Sequence, residues 1–145
     1  MTGTYKLIQL TNTDIGDVAV NAYLPYGRVT RRINAPYNCC NTFTVASSTA
    51  DVVNINDPGF YKVTYSLTGM VAAAGDVEIA LVTNGSEVYS VSQYVADAAG
   101  SANLTIIYTI RVASNAPEEI PVAVQIQNTG LALTGVSSNL IIEKI

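Results

Sequence analysis

The stretch Pro58-Gly-Phe-Tyr-Lys-Val-Thr-Tyr-Ser-Leu-Thr-Gly69 decides the fold class of this chain. Its apolar and polar residues alternate, which is the pattern of a β-strand with one buried face. Asn84-Gly85 follows a second alternating stretch, residues 77–81, and predicts a two-residue hairpin turn because a type I′ turn needs positive φ at both central positions. The first alternation places Tyr61, Val63, Tyr65 and Leu67 toward the core and Lys62, Thr64, Ser66 and Thr68 on the opposite face.

A period of two continues over most of the chain. Stretches rich in β-branched residues recur at short spacing, and stretches of strong helix formers are scarce. Eight to ten short strands at this spacing predict an all-β sandwich of two antiparallel sheets, or a barrel. The clearest strands are residues 61–68, 77–81, 87–94, 104–112, 122–127 and a central last strand at 139–145. The N-terminal third is less regular, and the short stretches that favour strands there are residues 5–10, 18–23, 27–33, 42–45 and 51–55.

Composition favours one domain that assembles with other subunits. The length of 145 residues fits a single domain, residues 1–145. Charged residues make up only 12% of the chain, about half the usual share, whereas apolar residues make up 49%. We therefore expect part of the surface to be covered by other subunits. The formal net charge of −4 argues against a nucleic-acid partner.

The chain carries no pattern typical of a catalytic or cofactor site. It has no histidine, which excludes Ser–His–Asp and Cys–His arrangements. Its two cysteines, Cys39 and Cys40, are adjacent, so we expect free thiols in a reducing compartment. No phosphate-binding glycine motif is present. Acidic and amide residues between 51 and 57 are either a plain polar turn or an oxygen-rich calcium site. We expect a protein that is not an enzyme and has no cofactor.

Three of the seven basic residues fall within five positions, Arg28-Val-Thr-Arg31-Arg32. On a regular strand, Arg28 and Arg32 would share one face and Arg31 would lie on the other. One interpretation is a solvated strand that protects a sheet edge. A second is contact with an acidic partner surface, such as a capsid protein, or with another subunit, and a third is phosphate binding. The N-terminal residues show no signal-peptide pattern and no stretch long enough to span a membrane, so we expect a protein made in a host cytoplasm without membrane contact.

The order of these strands resembles the tumour necrosis factor-like and complement globular-head superfamily. The resemblance lies in Asp57-Pro-Gly-Phe-Tyr-Lys-Val-Thr-Tyr-Ser-Leu-Thr-Gly69, in Val77-Glu-Ile-Ala-Leu-Val-Thr-Asn-Gly-Ser-Glu-Val88, and in the strands at 104–112, 122–127 and 139–145. The chain also resembles the C-terminal domain of spore-surface collagen-like glycoproteins. Residues Leu24-Pro-Tyr-Gly-Arg-Val-Thr-Arg-Arg32 look like small virion proteins of tailed phages. The resemblance implies a ten-stranded jelly roll that forms a compact homotrimer.

Four apolar side chains are candidates for the trimer interface. Phe60 is out of phase with the core-facing residues of its strand, and the other three are out of phase or close to a loop. Aromatic residues are enriched in the centres of protein interfaces. We expect Tyr61, Tyr65 and Tyr108 to lie in the core instead. The interface candidates are Phe60, Tyr89, Tyr94 and Ile107.

Two functions are consistent with these observations. The first is a non-enzymatic structural virion protein, a trimeric head fibre or capsid decoration protein of a tailed phage. Residues 1–36 would be an attachment arm or outer strands, and the partner would be the major capsid protein or another virion protein. The alternative is a trimeric module of a fibre tip or of a bacterial or spore surface that binds a receptor or a host glycan.

Overall fold

The computed structural model describes residues 5–34, 42–46, 50–113 and 121–145. Cys39, Cys40 and residues 1–4, 35 and 36 of the predicted attachment arm lie outside these ranges. Every regular element of the described part is a strand. These strands are β1 Lys6–Val18, β2 Arg28–Asn34, β3 Phe43–Ala46, β4 Val52–Ile55, β5 Gly59–Val71, β6 Gly75–Thr83, β7 Ser86–Val95, β8 Ser101–Val112, β9 Val122–Asn128 and β10 Leu133–Lys144.

The ten described strands form two antiparallel sheets of five strands each. Sheet A has the order β2-β1-β10-β5-β8, and sheet B has the order β3-β4-β9-β6-β7. Because most neighbours in a sheet are distant in sequence, connections cross from one sheet to the other, as in a jelly roll. The predicted fold class is confirmed, and β10 occupies the predicted central position in sheet A.

The face assignment of β5 is confirmed by burial. Its four predicted core residues are each at most 1% exposed, whereas Phe60 on the opposite face is 53% exposed. Tyr108 is only partly buried and packs against the edge of the core. The predicted hairpin is also confirmed, since Thr83 pairs with Ser86 around Asn84 and Gly85, whose φ angles are 49° and 83°.

The predicted strand at residues 18–23 is wrong. β1 instead continues to Val18, and the chain then turns and crosses to sheet B. Asn21 takes a φ of 67°, its N–H donates to the carbonyl of Asn128 at 2.6 Å, and the N–H of Leu24 donates to the carbonyl of Ile126 at 2.8 Å. A turn at Asn21 interrupts the alternating segment, so only a short stretch of it pairs with β9, through the bridge between Tyr23 and Gln127.

Two buried tyrosines at the centre of the sandwich differ in their hydrogen bonding. Tyr26 donates to the carbonyl of Val124 at 2.9 Å and packs edge-on against Tyr65, with ring centroids 6.2 Å apart. The hydroxyls of Tyr65 and Ser138 are both buried and lie near one another, but within the described residues neither meets a partner at regular hydrogen-bond geometry. Burial raises the pKa of Tyr26 well above its ordinary value, and the neighbouring Tyr65 and Asp51 raise it further. Burial also raises the pKa of Tyr65, partly offset by the nearby Ser138 hydroxyl.

Removing the two hydroxyls one at a time should have opposite effects. We expect Tyr26→Phe to lower the free energy of unfolding by about 1 kcal/mol, because a buried hydrogen bond is lost. Tyr65→Phe should leave it unchanged or raise it, because a buried hydroxyl without a partner is removed. Urea unfolding at one fixed protein concentration measures both values. An equal loss in the two variants would contradict the difference.

Alkaline pH should destabilise the fold through Tyr65. Its pKa is raised in the folded state, so the folded protein keeps a proton that the unfolded chain loses above pH ~10. The stability contributed by this group is therefore fully present below pH ~10 and is lost as the pH rises through the folded pKa. We expect the free energy of unfolding to fall less steeply above pH ~10 in Tyr65→Phe than in the unchanged protein. Parallel pH profiles would show that Tyr65 plays no part.

Candidate functional site

The outer face of sheet A carries exposed apolar side chains where a sheet of a monomeric protein usually carries polar ones. We call Phe60, Ile107, Ile141 and Ile145 the outer apolar patch. Phe60, Ile107 and Ile145 are 53%, 60% and 66% exposed, and Ile141 is partly buried. Strand register places Phe60, Ile107 and Ile141 on the face opposite the core, and Ile145 continues the phase of Ile141 just beyond β10. The polar row of Glu143, Lys62 and Thr109 lies between the row of Ile107 and Ile141 and the pair of Phe60 and Ile145.

Ile107 and Ile141 lie in one row across three strands. Ile107 on β8 is opposite Thr64 on β5, and Thr64 is opposite Ile141 on β10. Side chains directly opposite in antiparallel strands contact one another, so the methyl of Thr64 links the two isoleucines. β8 is an edge strand of sheet A. The row therefore reaches the side of the sandwich, where another protein chain can approach.

Phe60 is held at the other end of β5 by contacts with the end of β10. The N–H of Ile145 donates to the carbonyl of Phe60 at 2.9 Å. Next to it, the ammonium of Lys144 lies 3.1 Å from a carboxylate oxygen of Asp57. Gly59 has a φ of 148°, which residues with a Cβ rarely adopt, so the backbone conformation before Phe60 favours glycine. These contacts fix the backbone at Phe60, which lowers the conformational entropy that its side chain would lose on binding another protein.

The other two interface candidates lie on different surfaces. Tyr89 on β7 is directed toward the open side of the sandwich, where its ring stacks on Tyr108 of β8 with centroids 5.2 Å apart and planes 20° apart. Tyr94 lies on the outer face of sheet B, opposite Asp76, and is 66% exposed. The structure therefore places Phe60 and Ile107 on the same face of sheet A, Tyr89 at the β7–β8 side and Tyr94 on the other sheet. The interface role of all four stays a prediction.

The predicted distribution of the three arginines over the faces of β2 is wrong. Register shifts by one residue between Gln9 and Leu10 of β1, so Thr30 is an extra residue in β2. Beyond this bulge, Arg31 is opposite Gln9 and Arg32 is opposite Ile8, whereas Arg28 is opposite Thr11. A bulge reverses the alternation that follows it, so Arg28 and Arg31 share the outer face and Arg32 is on the other. All three side chains are exposed on an edge strand. Their contact with a partner stays a prediction.

The described residues include no group of three or more His, Cys, Asp or Glu side chains that could hold a metal ion. Of the acidic residues in the predicted polar turn, Asp57 pairs with Lys144. Within the same ranges, no helix is long and apolar enough to cross a membrane. Burial, and to a lesser extent Asp57, raises the pKa of Tyr61, so this tyrosine is neutral and structural like Tyr65.

Sequence reasoning missed two members of the outer apolar patch, Ile141 and Ile145. The run Leu140-Ile-Ile142 is apolar on both strand faces, which indicated a central strand and so hid an exposed isoleucine. Strand alternation could have identified them, because Ile141 and Ile145 lie at odd-numbered positions, out of phase with the buried Leu140 and Ile142.

Comparison with solved structures identifies the architecture. The PRD1 vertex protein P5 matches over 99% of both chains with a TM-score of 0.63 and 15% sequence identity. The globular domain of the zebrafish complement 1qA protein matches over 94% of both chains with a TM-score of 0.67 and 8% identity. Eiger TNF from S. frugiperda matches over 99% of this chain and 94% of its own, with a TM-score of 0.66 and 12% identity.

The protein has a tumour necrosis factor-like jelly-roll fold. This bears out the resemblance that its strand order showed. No family model matches the sequence, and no curated protein matches it significantly. At these identities the likeness concerns the fold, and the function has to be argued from the surface.

Proposed function

We propose that this protein is a homotrimeric, non-enzymatic structural component of a phage virion, displayed on the capsid as a decoration or head-fibre protein. The observation that carries the proposal is the outer apolar patch on a protein with few charges. Phe60 and Ile107 are more than half exposed and lie outside the core of the single chain. Burial of apolar surface between subunits explains why they lie outside it.

A threefold ring fits the way the apolar residues are distributed. Cyclic trimers use heterologous contacts, so each subunit needs two different surfaces that complement one another. The outer face of sheet A, with Phe60 and Ile141, supplies one. The β7–β8 side, with Tyr89 and the edge position of Ile107, supplies the other. The similarity to the PRD1 vertex protein over the whole chain supports the virion setting of this assembly.

A charge placed in the patch should break the assembly. We expect Ile107→Glu to convert the trimer to monomers at micromolar concentration, because the carboxylate would be buried without a partner. Ser92→Glu is the matched control, since it adds the same charge on the exposed outer face of sheet B. Light scattering after size exclusion, with native mass spectrometry, measures the oligomeric state. A monomer in the unchanged protein, or a trimer that survives Ile107→Glu, would contradict the proposal.

Arg31 and Arg32 of β2 are proposed to contact the capsid. Deleting residues 1–36 is not a usable test of attachment, because β1 contributes Ile8 and Leu10 to the core and pairs with the central strand β10. Substitution of exposed side chains avoids this problem. Arg31 and Arg32 are exposed on the edge strand, so their charges can be removed without disturbing the buried face.

Virion attachment should depend on these two charges. We expect Arg31→Gln/Arg32→Gln to bind at least about tenfold more weakly to virus particles from a deletion mutant of this gene, because charge-assisted contacts are lost. Ser86→Glu/Ser92→Glu lowers the net charge by the same two units at another edge and should bind normally. Cosedimentation with the particles measures binding. Equal binding by both double variants would reject the contact, and absence of the protein from purified virions would reject the virion role.

A further inference from the structure

A groove of about 380 Å³ opens where β1 and β2 separate. Its volume falls within the lower part of the range that small-molecule sites occupy. The lining is polar, with hydroxyl, amide, carboxylate and guanidinium groups and one glycine. The lining residues are Thr11, Asn12, Thr13, Asp14, Gly27, Arg28 and Thr30.

The groove results from two irregularities in the backbone. The β1–β2 pairing ends at Thr11 and Arg28, and β1 then shifts register against β10 between Asn12 and Gly16. On the other side, Gly27 has a φ of 82°, and a Cβ there would overlap the carbonyl oxygen of Thr11 and lie 2.7 Å from the Cβ of Asn12. Glycine therefore lets the two strands meet closely at the base of the groove, while the bulged strand bends away above it.

The frame of the groove is fixed by hydrogen bonds. Asn12 donates to the carbonyl of Pro25 at 3.2 Å and accepts from the N–H of Asp14 at 3.2 Å. Thr11 donates to the side-chain oxygen of Asn139 at 3.1 Å, and Thr30 donates to the carbonyl of Gln9 at 3.3 Å. These contacts hold the wall in one conformation before a ligand arrives, which lowers the entropic cost of binding.

Two side chains of opposite charge in this groove remain unpaired. Asp14 and Arg28 both line it, yet they form no ion pair with one another, and neither side chain makes a hydrogen bond within the described residues. The lining therefore combines a carboxylate that only accepts, a guanidinium that only donates and threonine hydroxyls that do both.

We propose that this groove binds an uncharged saccharide unit. Each sugar hydroxyl both donates and accepts, so neighbouring hydroxyls can donate to Asp14 and accept from Arg28, and such charge-assisted bonds are strong. A simple anion would be repelled by Asp14 and a simple cation by Arg28. The groove is independent of the proposed trimer, because it lies at the β1–β2 corner of sheet A, whereas Phe60 and Ile107 lie on β5 and β8.

Saccharide titrations on the unmodified protein and on two groove variants test this site. A glycan array selects the probe, and saturation-transfer NMR with the methyl glycosides of its best ligands, up to about 10 mM, covers millimolar dissociation constants. We expect binding that Asp14→Asn and Arg28→Gln each weaken about tenfold or more. The matched controls Asp97→Asn, in an exposed loop, and Arg31→Gln, on the same strand outside the groove, should bind as the unmodified protein does.

Three results would overturn the site. One is the absence of any saccharide that binds. Another is binding that the two groove variants leave unchanged while thermal melting shows all variants folded. The third is binding of inorganic phosphate in place of sugars, which would make the groove an anion site of Arg28. None of these results bears on the oligomeric state, so the trimer proposal stands or falls separately.

Discussion

The fold depends on the pairing of β10 with β1 on one side and with β5 on the other. Leu140 lies opposite Leu10 and opposite Tyr65, and all three are fully buried. Without β10, sheet A would separate into a β1–β2 hairpin-like pair and a β5–β8 pair, each with an unpaired edge. Contacts of such long sequence separation form late in folding, so sheet A is complete only when both ends of the described chain have come together.

This central position of β10 also determines the surface on which the proposed function rests. Its inward residues fill the core, and its outward residues bring Ile141 and Ile145 beside Thr64 and Phe60 of β5. The result is an outer face on which exposed apolar side chains lie among threonines and serines, in a chain of which only 12% is charged. The outer face of sheet B differs, because Glu78 there accepts a hydrogen bond from Thr129, and serines and glutamines surround it. The two outer faces of the sandwich therefore differ in polarity, and the outer face of sheet A is the one on which the proposed assembly rests.

Backbone irregularities set the chemistry at the opposite corner of sheet A. The extra residue Thr30 in β2 turns Arg31 to the same face as Arg28, and the shifted register after Asn12 opens the groove beside Asp14. β-bulges are known to re-aim side chains near functional sites. One sheet thus offers an apolar surface of the kind that subunits bury and a polar groove of the kind that hydroxylated ligands bind, separated by the central strands.

The sequence by itself determined the fold class, the buried face of β5 and the hairpin at Asn84-Gly85. These features are local, because alternation has a period of two and a type I′ turn needs only two residues of suitable φ. Only the tertiary structure decided which exposed residues meet. It brought Phe60 and Ile107 onto one face and separated Tyr94 from them. It also placed Arg31, and not Arg32, on the same face as Arg28. The strand expected at residues 18–23 is replaced by a turn after β1. The physical reason is that register and bulges depend on pairing between strands that are distant in sequence. A shift of one residue moves the side chains that follow it to the opposite face of the sheet, and the alternation of apolar and polar residues within one strand does not reveal that shift.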